Sequence, residues 1–209
     1  MRLIIFGASR GVGRALTELA LDQGYQVTAF VRNASRLSLK HSYLNVVPGD
    51  VTNAADVEQA IQGHEMVFCT LGQDQRGATT LYSMAAQHIT EAMNHRGIRR
   101  LMFLSNFGVL NETSSNFRTA STVVLAKLFL RGTLQDHQQA LAAIQKYSWD
   151  WIAVRPMALT HGERTGKYRI ELQGLPEGGT HIARADVADF MLKQVNSNEY
   201  VHQIPAIAY

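Results

Sequence analysis

Cysteine is nearly missing from this chain of 209 residues: Cys69 stands alone, so no intrachain disulfide can form and a secreted disulfide scaffold is excluded. Long apolar runs are missing too. The longest, Val123 to Leu130, is cut by Lys127 and cannot span a bilayer. The run Leu3 to Phe6 meets Gly7 at once, which is too short for the apolar region of a signal peptide. These absences lead us to expect a cytoplasmic protein in a reducing compartment, without membrane contact. Charge of one sign is not dominant either. Lys and Arg number 20 against 17 Asp and Glu, a net charge of +3, and the basic residues are scattered, so nucleic acid is not an expected partner. Repeats, low-complexity tracts and linkers are absent. The eight histidines show no ligand spacing with Cys69 or the carboxylates, and no metal site is expected.

What remains is apolar material in short, regularly spaced pieces. With 46% hydrophobic residues the chain has enough for a substantial core, and a single domain over residues 1–209 is the default expectation. Runs of strand length fall at 2–6, 26–31, 44–47, 66–70, 101–104 and 151–154, with helical patterns between most of them, which predicts βαβ units and a parallel sheet covered on both faces. Val12, Ala15, Leu16, Leu19 and Ala20 make one helical stripe that Gly24 ends. Leu81, Met84, Ala85, Ile89, Ala92 and Met93 make another, with His88 on the same face. Asn53 is placed to cap a short helix, and Leu134, Leu141 and Ile144 mark a helix over about 133–146, which the segment 119–131 extends. Two stretches, Asn106 to Ala120 and Met157 to Thr180, fit no pattern. Both follow strands, where ligands of open α/β sheets bind, so they are the expected substrate loops; ordinary surface loops are the alternative.

Between the first strand and the first helix stands Gly7-Ala8-Ser9-Arg10-Gly11-Val12-Gly13. Glycine is required where a tight turn needs unusual backbone angles and where a Cβ would hold the chain away from a pyrophosphate. The helix start then offers free N–H groups and a partial positive charge. Gly7, Ser9, Arg10, Gly11, Val12 and Gly13 are therefore candidate dinucleotide-binding residues. About twenty residues further on, where an NAD-binding protein carries Asp or Glu for the ribose hydroxyls, the chain reads Val31-Arg32-Asn33-Ala34-Ser35-Arg36. Arginine there attracts a 2′-phosphate and can grip it in fork geometry, so Arg32 and Arg36 point to NADP(H) as the cofactor.

The glycine spacing at 7, 11 and 13 resembles the short-chain dehydrogenase/reductase superfamily, and Arg10 looks like the arginine that its NADP-preferring members place near the adenosine phosphate. Gly49-Asp50-Val51 resembles the superfamily's acidic turn beside adenine, and Thr70-Leu71-Gly72 its cofactor-backing turn. Leu104-Ser105-Asn106 stands where the active-site serine is found, Val154-Arg155-Pro156 ends the sixth strand, and Arg184-Ala185-Asp186-Val187-Ala188 resembles the atypical, NmrA-like branch. Arg32, Arg36 and His137 match the flavin reductase/biliverdin IXβ reductase group most closely. This resemblance implies a doubly wound Rossmann sheet of order 3-2-1-4-5-6. It also implies cofactor contacts from Asp50, Val51, Leu71, Gly72, Ser105, Arg155 and Pro156, and hydride transfer to a flavin, quinone or tetrapyrrole.

One departure matters. No tyrosine in the chain has lysine four residues later, so the superfamily's usual proton-transfer pair is missing. An extended conjugated acceptor does not need it, because solvent supplies the proton once the hydride has arrived. Ser105 is then a candidate to hydrogen-bond the acceptor or nicotinamide, or else a strand-end cap. His137 is a candidate acid or orienting group, or else a satisfied core histidine. Arg155 either buttresses the cofactor or salt-bridges across the sheet. Two functions follow: an NADPH-dependent reductase of a conjugated acceptor, acting as a monomer or small homo-oligomer, or an NADP(H)-binding redox sensor.

Overall fold

The computed structural model describes residues 1–73, 77–110 and 117–209. Strands β1 (Arg2–Phe6), β2 (Gln26–Val31), β3 (Leu44–Pro48), β4 (Met66–Cys69), β5 (Arg100–Leu104) and β6 (Asp150–Pro156) pair in parallel in the order 3-2-1-4-5-6. Helices α1 (Gly11–Asp22), α2 (Ala54–Ala60), α3 (Leu81–Arg96), α4 (Phe117–Ile144) and α5 (Arg184–Lys193) supply the crossovers and cover the faces. This is the expected doubly wound arrangement. Beyond β6 the sheet continues into short pieces that the hydrophobic pattern does not mark. β10 (Ala206–Ala208) pairs with β6 in parallel and β8 (Arg169–Glu171) closes the edge antiparallel to β10. Strands β7 (Ala158–Thr160) and β9 (His181–Ala183) form a separate parallel pair. Each holds three residues, too few to show an alternation of its own.

The strands alternate between two cores, as the period of two in a strand requires. Leu3, Ile5, Phe68, Leu104 and Val154 belong to the layer under α1 and α5, whereas Ile4, Phe6, Val67, Phe103 and Ala153 belong to the layer under α2, α3 and α4. Every one of them is buried, which explains why the parallel strands read as continuous apolar runs. In α1 the stripe of Val12, Leu16 and Ala20 is buried, with Ala15 and Leu19 packed at its margin. Gly24, at φ +81°, takes the left-handed conformation that ends the helix. Asn53 caps α2 by accepting the Ala55 N–H at 3.0 Å.

Four of the six residues expected on the α3 stripe, Ala85, Ile89, Ala92 and Met93, are buried, and Tyr82 and Ala86 complete the buried face in place of Leu81 and Met84, which are half-buried. Both sets satisfy helical spacing, and contact with α4 selects the one that includes Tyr82. His88 is half-buried and its Nδ1 lies 3.0 Å from the Val51 carbonyl, so it is a hydrogen-bonded packing residue. The segments over 119–131 and 133–146 form one long helix, α4, ending at Ile144. Among the described residues no helix is long and apolar enough to cross a membrane.

Candidate active site

At the carboxyl edge of β1, the chain turns through Gly7 at φ +87°, a value that disfavours any side chain, and a Cβ there would lie 2.9 Å from the Thr70 carbonyl oxygen. Gly13 is required for packing: its Cβ would fall 2.2 Å from the Gly7 carbonyl and 2.4 Å from Thr70 Oγ1. The turn and the first residues of α1 are therefore pressed against β4, with Thr70 N–H and Oγ1 both donating to the Phe6 carbonyl at 2.8 Å. Arg10 occupies the N-cap of α1 in extended geometry and its side chain makes no cap hydrogen bond, so the first N–H groups of the helix face outward without a side-chain partner.

These N–H groups open onto a cleft of about 850 Å³. Its walls include Gly7, Ser9, Arg10, Gly11 and Val12 from the turn, Arg32 and Arg36 beyond β2, and Leu71 and Gly72 after β4. Gly49 and Val51, Tyr82 from α3, Leu104 at the end of β5, Leu159, His161 and Arg184 complete most of the rest. Four arginines border the cleft, and among the described residues lining it there is no Asp or Glu. Arg32 and Arg36 stand at one end, flanking Asn33, whose side chain accepts the Ser35 N–H and caps the short turn Ala34–Arg36. Arg10 donates to the Gly72 carbonyl at 2.8 Å. Arg184, at the start of α5, donates to the Leu159 carbonyl and comes within 3.7 Å of where a Gly11 Cβ would stand. A glycine turn with no room for a Cβ at Gly7 or Gly13, an open helix start and four arginines on the rim are a fit for the phosphates of a dinucleotide.

A different kind of wall closes the side between α3 and α4. Asp136, buried in α4, accepts the backbone N–H groups of Tyr82 at 2.8 Å and Ser83 at 3.1 Å, and so caps α3 from another helix, where Thr80 makes no side-chain cap of its own. The neighbouring His137 stacks on the Tyr82 ring with centroids 3.8 Å apart and meets Phe103 edge-on at 6.2 Å. Gly132 allows α4 to approach this closely, since its Cβ would lie 2.7 Å from Ala78 Cα. Burial pushes the His137 imidazole down to about 3, so it is neutral at physiological pH and holds no proton to give as an imidazolium.

Several expected site residues lie off the cleft. Asp50 is exposed and not part of the lining; its carboxylate accepts the Thr52 N–H and hydroxyl, which hold it below the usual carboxylate range. Its neighbours Gly49 and Val51 do line the cleft. Ser105 and His137 are buried behind the wall, and Ser105 Oγ and His137 Nδ1 have no hydrogen-bond partner among the described residues. Arg155 and Pro156 are buried and absent from the lining. Arg155 Nε donates to the Ile204 carbonyl at 2.7 Å, and burial pushes the guanidinium down to about 10 against the favourable charge of Glu171, so it remains a cation beneath β10 and β8. Gly13 acts by packing and is likewise not part of the lining. Of the two expected loops, Met157 to Thr180 supplies Leu159 and His161 to the cleft, whereas residues 111–116 of Asn106 to Ala120 lie outside the described residues.

Sequence reasoning missed Arg184, Tyr82, Gln73 and Phe30 as lining residues. For Arg184 a signal existed in its place at the head of a late helix. Two residues on, Asp186 turns the other way and accepts from Thr165, Gly166 and Tyr209, clamping the 157–180 segment to α5. For Tyr82 no local signal existed, because its side chain is brought to the cleft by α4.

Comparison with known proteins agrees with this geometry. A family described as NAD(P)H-binding matches residues 7–198. A 3-beta-hydroxysteroid dehydrogenase of Mycolicibacterium neoaurum is 38% identical over 69 residues, 33% of this chain and 19% of that protein. An uncharacterized oxidoreductase of Schizosaccharomyces pombe is 38% identical over 66 residues, 32% of this chain and 23% of that protein. The chain thus spans about one fifth of the length of the curated relatives it matches. Among solved structures, a short-chain dehydrogenase/reductase of Veillonella parvula in complex with NADP has a TM-score of 0.81 at 18% identity, covering 100% of this chain and 94% of that one. ChuY, an anaerobillin reductase of Escherichia coli O157:H7, has a TM-score of 0.76 at 22% identity, covering 100% and 97%.

Proposed function

Because the chain belongs to the NAD(P)H-binding family, we propose that it is an NADPH-dependent reductase whose acceptor is a conjugated small molecule, a flavin, quinone or tetrapyrrole, and that residues 1–209 act as one domain. The observation that carries this reading is the rim of four arginines on a cleft with no acidic side chain among its described lining residues. NADPH carries two more negative charges than NADH, both on the 2′-phosphate. Arg32 and Arg36, set beyond β2 where the ribose of an NAD-binding relative would meet a carboxylate, receive that phosphate. The N–H groups of Gly11 and Val12, together with the cationic side chains of Arg10 and Arg184 that line the same cleft, would hold the pyrophosphate. Bound there, the cofactor supplies a hydride. The chain holds it in place, and Leu71, Leu104 and Leu159 limit water in the cleft.

The resemblance to the flavin reductase/biliverdin IXβ reductase group and the fold likeness to ChuY support an acceptor of this class. So does the sequence, which carries no Tyr-x-x-x-Lys pair for carbonyl chemistry. That same absence favours the second reading, an NADP(H)-binding redox sensor. Purified protein is tested for NADPH oxidation with FMN, menadione and biliverdin while calorimetry compares NADPH with NADH. Turnover of at least one acceptor with NADPH preferred supports the reductase. Tight NADPH binding without turnover, joined to partner binding that differs between NADP⁺ and NADPH, supports the sensor.

A further inference from the structure

Among the described residues that line the cleft, Thr70 and Tyr82 are the buried ones with a polar side-chain group, and of the two only Tyr82 has a hydroxyl proton without an acceptor. Thr70 Oγ1 donates to the Phe6 carbonyl, the Gln73 amide donates to Thr133 Oγ1, and Asn33 Oδ1 is held by Ser35. Tyr82 Oη accepts the Gln73 N–H at 3.2 Å, yet among the described residues its own proton has no acceptor. The residue is 5% exposed and lines the cleft. We infer that Tyr82 is the hydrogen-bond donor that holds the acceptor, through a carbonyl oxygen or imine-type nitrogen of its conjugated ring; this rests on the reductase reading above.

The surroundings of Tyr82 suit the role. Its backbone N–H is held by Asp136 and its ring lies against His137 at an interplanar angle of 25°, so consecutive residues of α4 fix both the chain and the side chain. A donor held in this way loses little freedom on binding. Acceptance of the Gln73 N–H polarises the phenol and strengthens it as a donor. Burial, opposed by the Gln73 hydrogen bond, raises the phenol above its ordinary value, which keeps the proton in place across physiological pH. The acceptor therefore takes a hydride, with both electrons, from the dihydronicotinamide and a proton from solvent. Electron density grows on the heteroatom facing Tyr82, which answers with a stronger hydrogen bond and keeps its own proton.

Tyr82→Phe retains the ring and its stacking. With NADP⁺-saturated protein, FMN, menadione and biliverdin binding is measured by fluorescence quenching, NADPH affinity by calorimetry, and kcat/KM from pH 6 to 9. The expected result is a five- to tenfold loss of acceptor affinity and of kcat/KM, at the scale of one neutral hydrogen bond, with NADPH affinity within twofold and the pH profile unchanged in shape. Full acceptor affinity and kcat/KM in Tyr82→Phe, beside an active wild type, overturns the inference and leaves the reductase reading standing. So does a variant that alters the pH profile, since Tyr82 would then be exchanging its proton. A wild type that binds NADPH and neither binds nor reduces any of the three acceptors overturns both.

Discussion

The two sides of the cleft are built by opposite means. The side of the glycine turn is local: β1, the turn, α1 and the end of β2 follow one another within residues 2–36, and the charge they present sits on exposed arginines. The wall between α3 and α4 is assembled over long separations. Asp136 reaches back 54 residues to Tyr82, and the groups involved are buried. The difference teaches that exposed charge and buried packing are divided between them. Exposed guanidinium groups cost the fold little, whereas the buried carboxylate and imidazole hold α3 against α4 and fix the phenol that lines the cleft.

The comparison breaks most readily at the arginines. Arg32→Ala combined with Arg36→Ala removes two charge-assisted contacts of about 1.5 kcal/mol each, so NADPH affinity falls about a hundredfold while NADH affinity and the thermal midpoint stay nearly constant, as calorimetry and thermal unfolding would register. A large fall in NADH affinity as well would mean that these residues do not discriminate by the 2′-phosphate. Asp136→Ala should show the converse. It leaves two N–H groups at the start of α3 without a partner, so stability drops by about 2 kcal/mol and the midpoint by about 4–8 °C, while NADPH affinity is nearly retained.

At neutral pH the smallest effect is that of His137, and it grows as the pH falls. Because the folded state holds this imidazole unprotonated down to about 3 while the unfolded chain protonates near 6.5, the unfolded state binds more protons between those values. Its contribution is complete above pH 6.5 and is lost as the pH falls toward 3, by up to about 1.4 kcal/mol for each pH unit. His137→Phe keeps a ring against Tyr82 and should flatten that slope in urea titrations between pH 6.5 and 4.5. An unchanged slope would show that the imidazole is protonated in the folded protein.

Both the fold and one half of the site were legible before any coordinates. Runs of strand length alternating with helical stripes specify a doubly wound sheet, because burial on both faces makes parallel strands continuously apolar and the order follows from the crossovers. Glycines at 7 and 11 and arginines at 32 and 36 meet in one cleft, because a turn, a helix start and the end of the next strand are neighbours in every unit of this kind. Only the tertiary structure decided that Asp50 turns away to Thr52, that Arg155 lies beneath β10, that Arg184 closes the cleft beside Gly11, and that Tyr82 rather than Met84 faces inward. The reason is one of range. Backbone angles and periodicity are set by residues a few places apart, whereas the direction of a side chain at a helix start or strand end is set by whatever packs against it, and here that partner lies dozens of residues away.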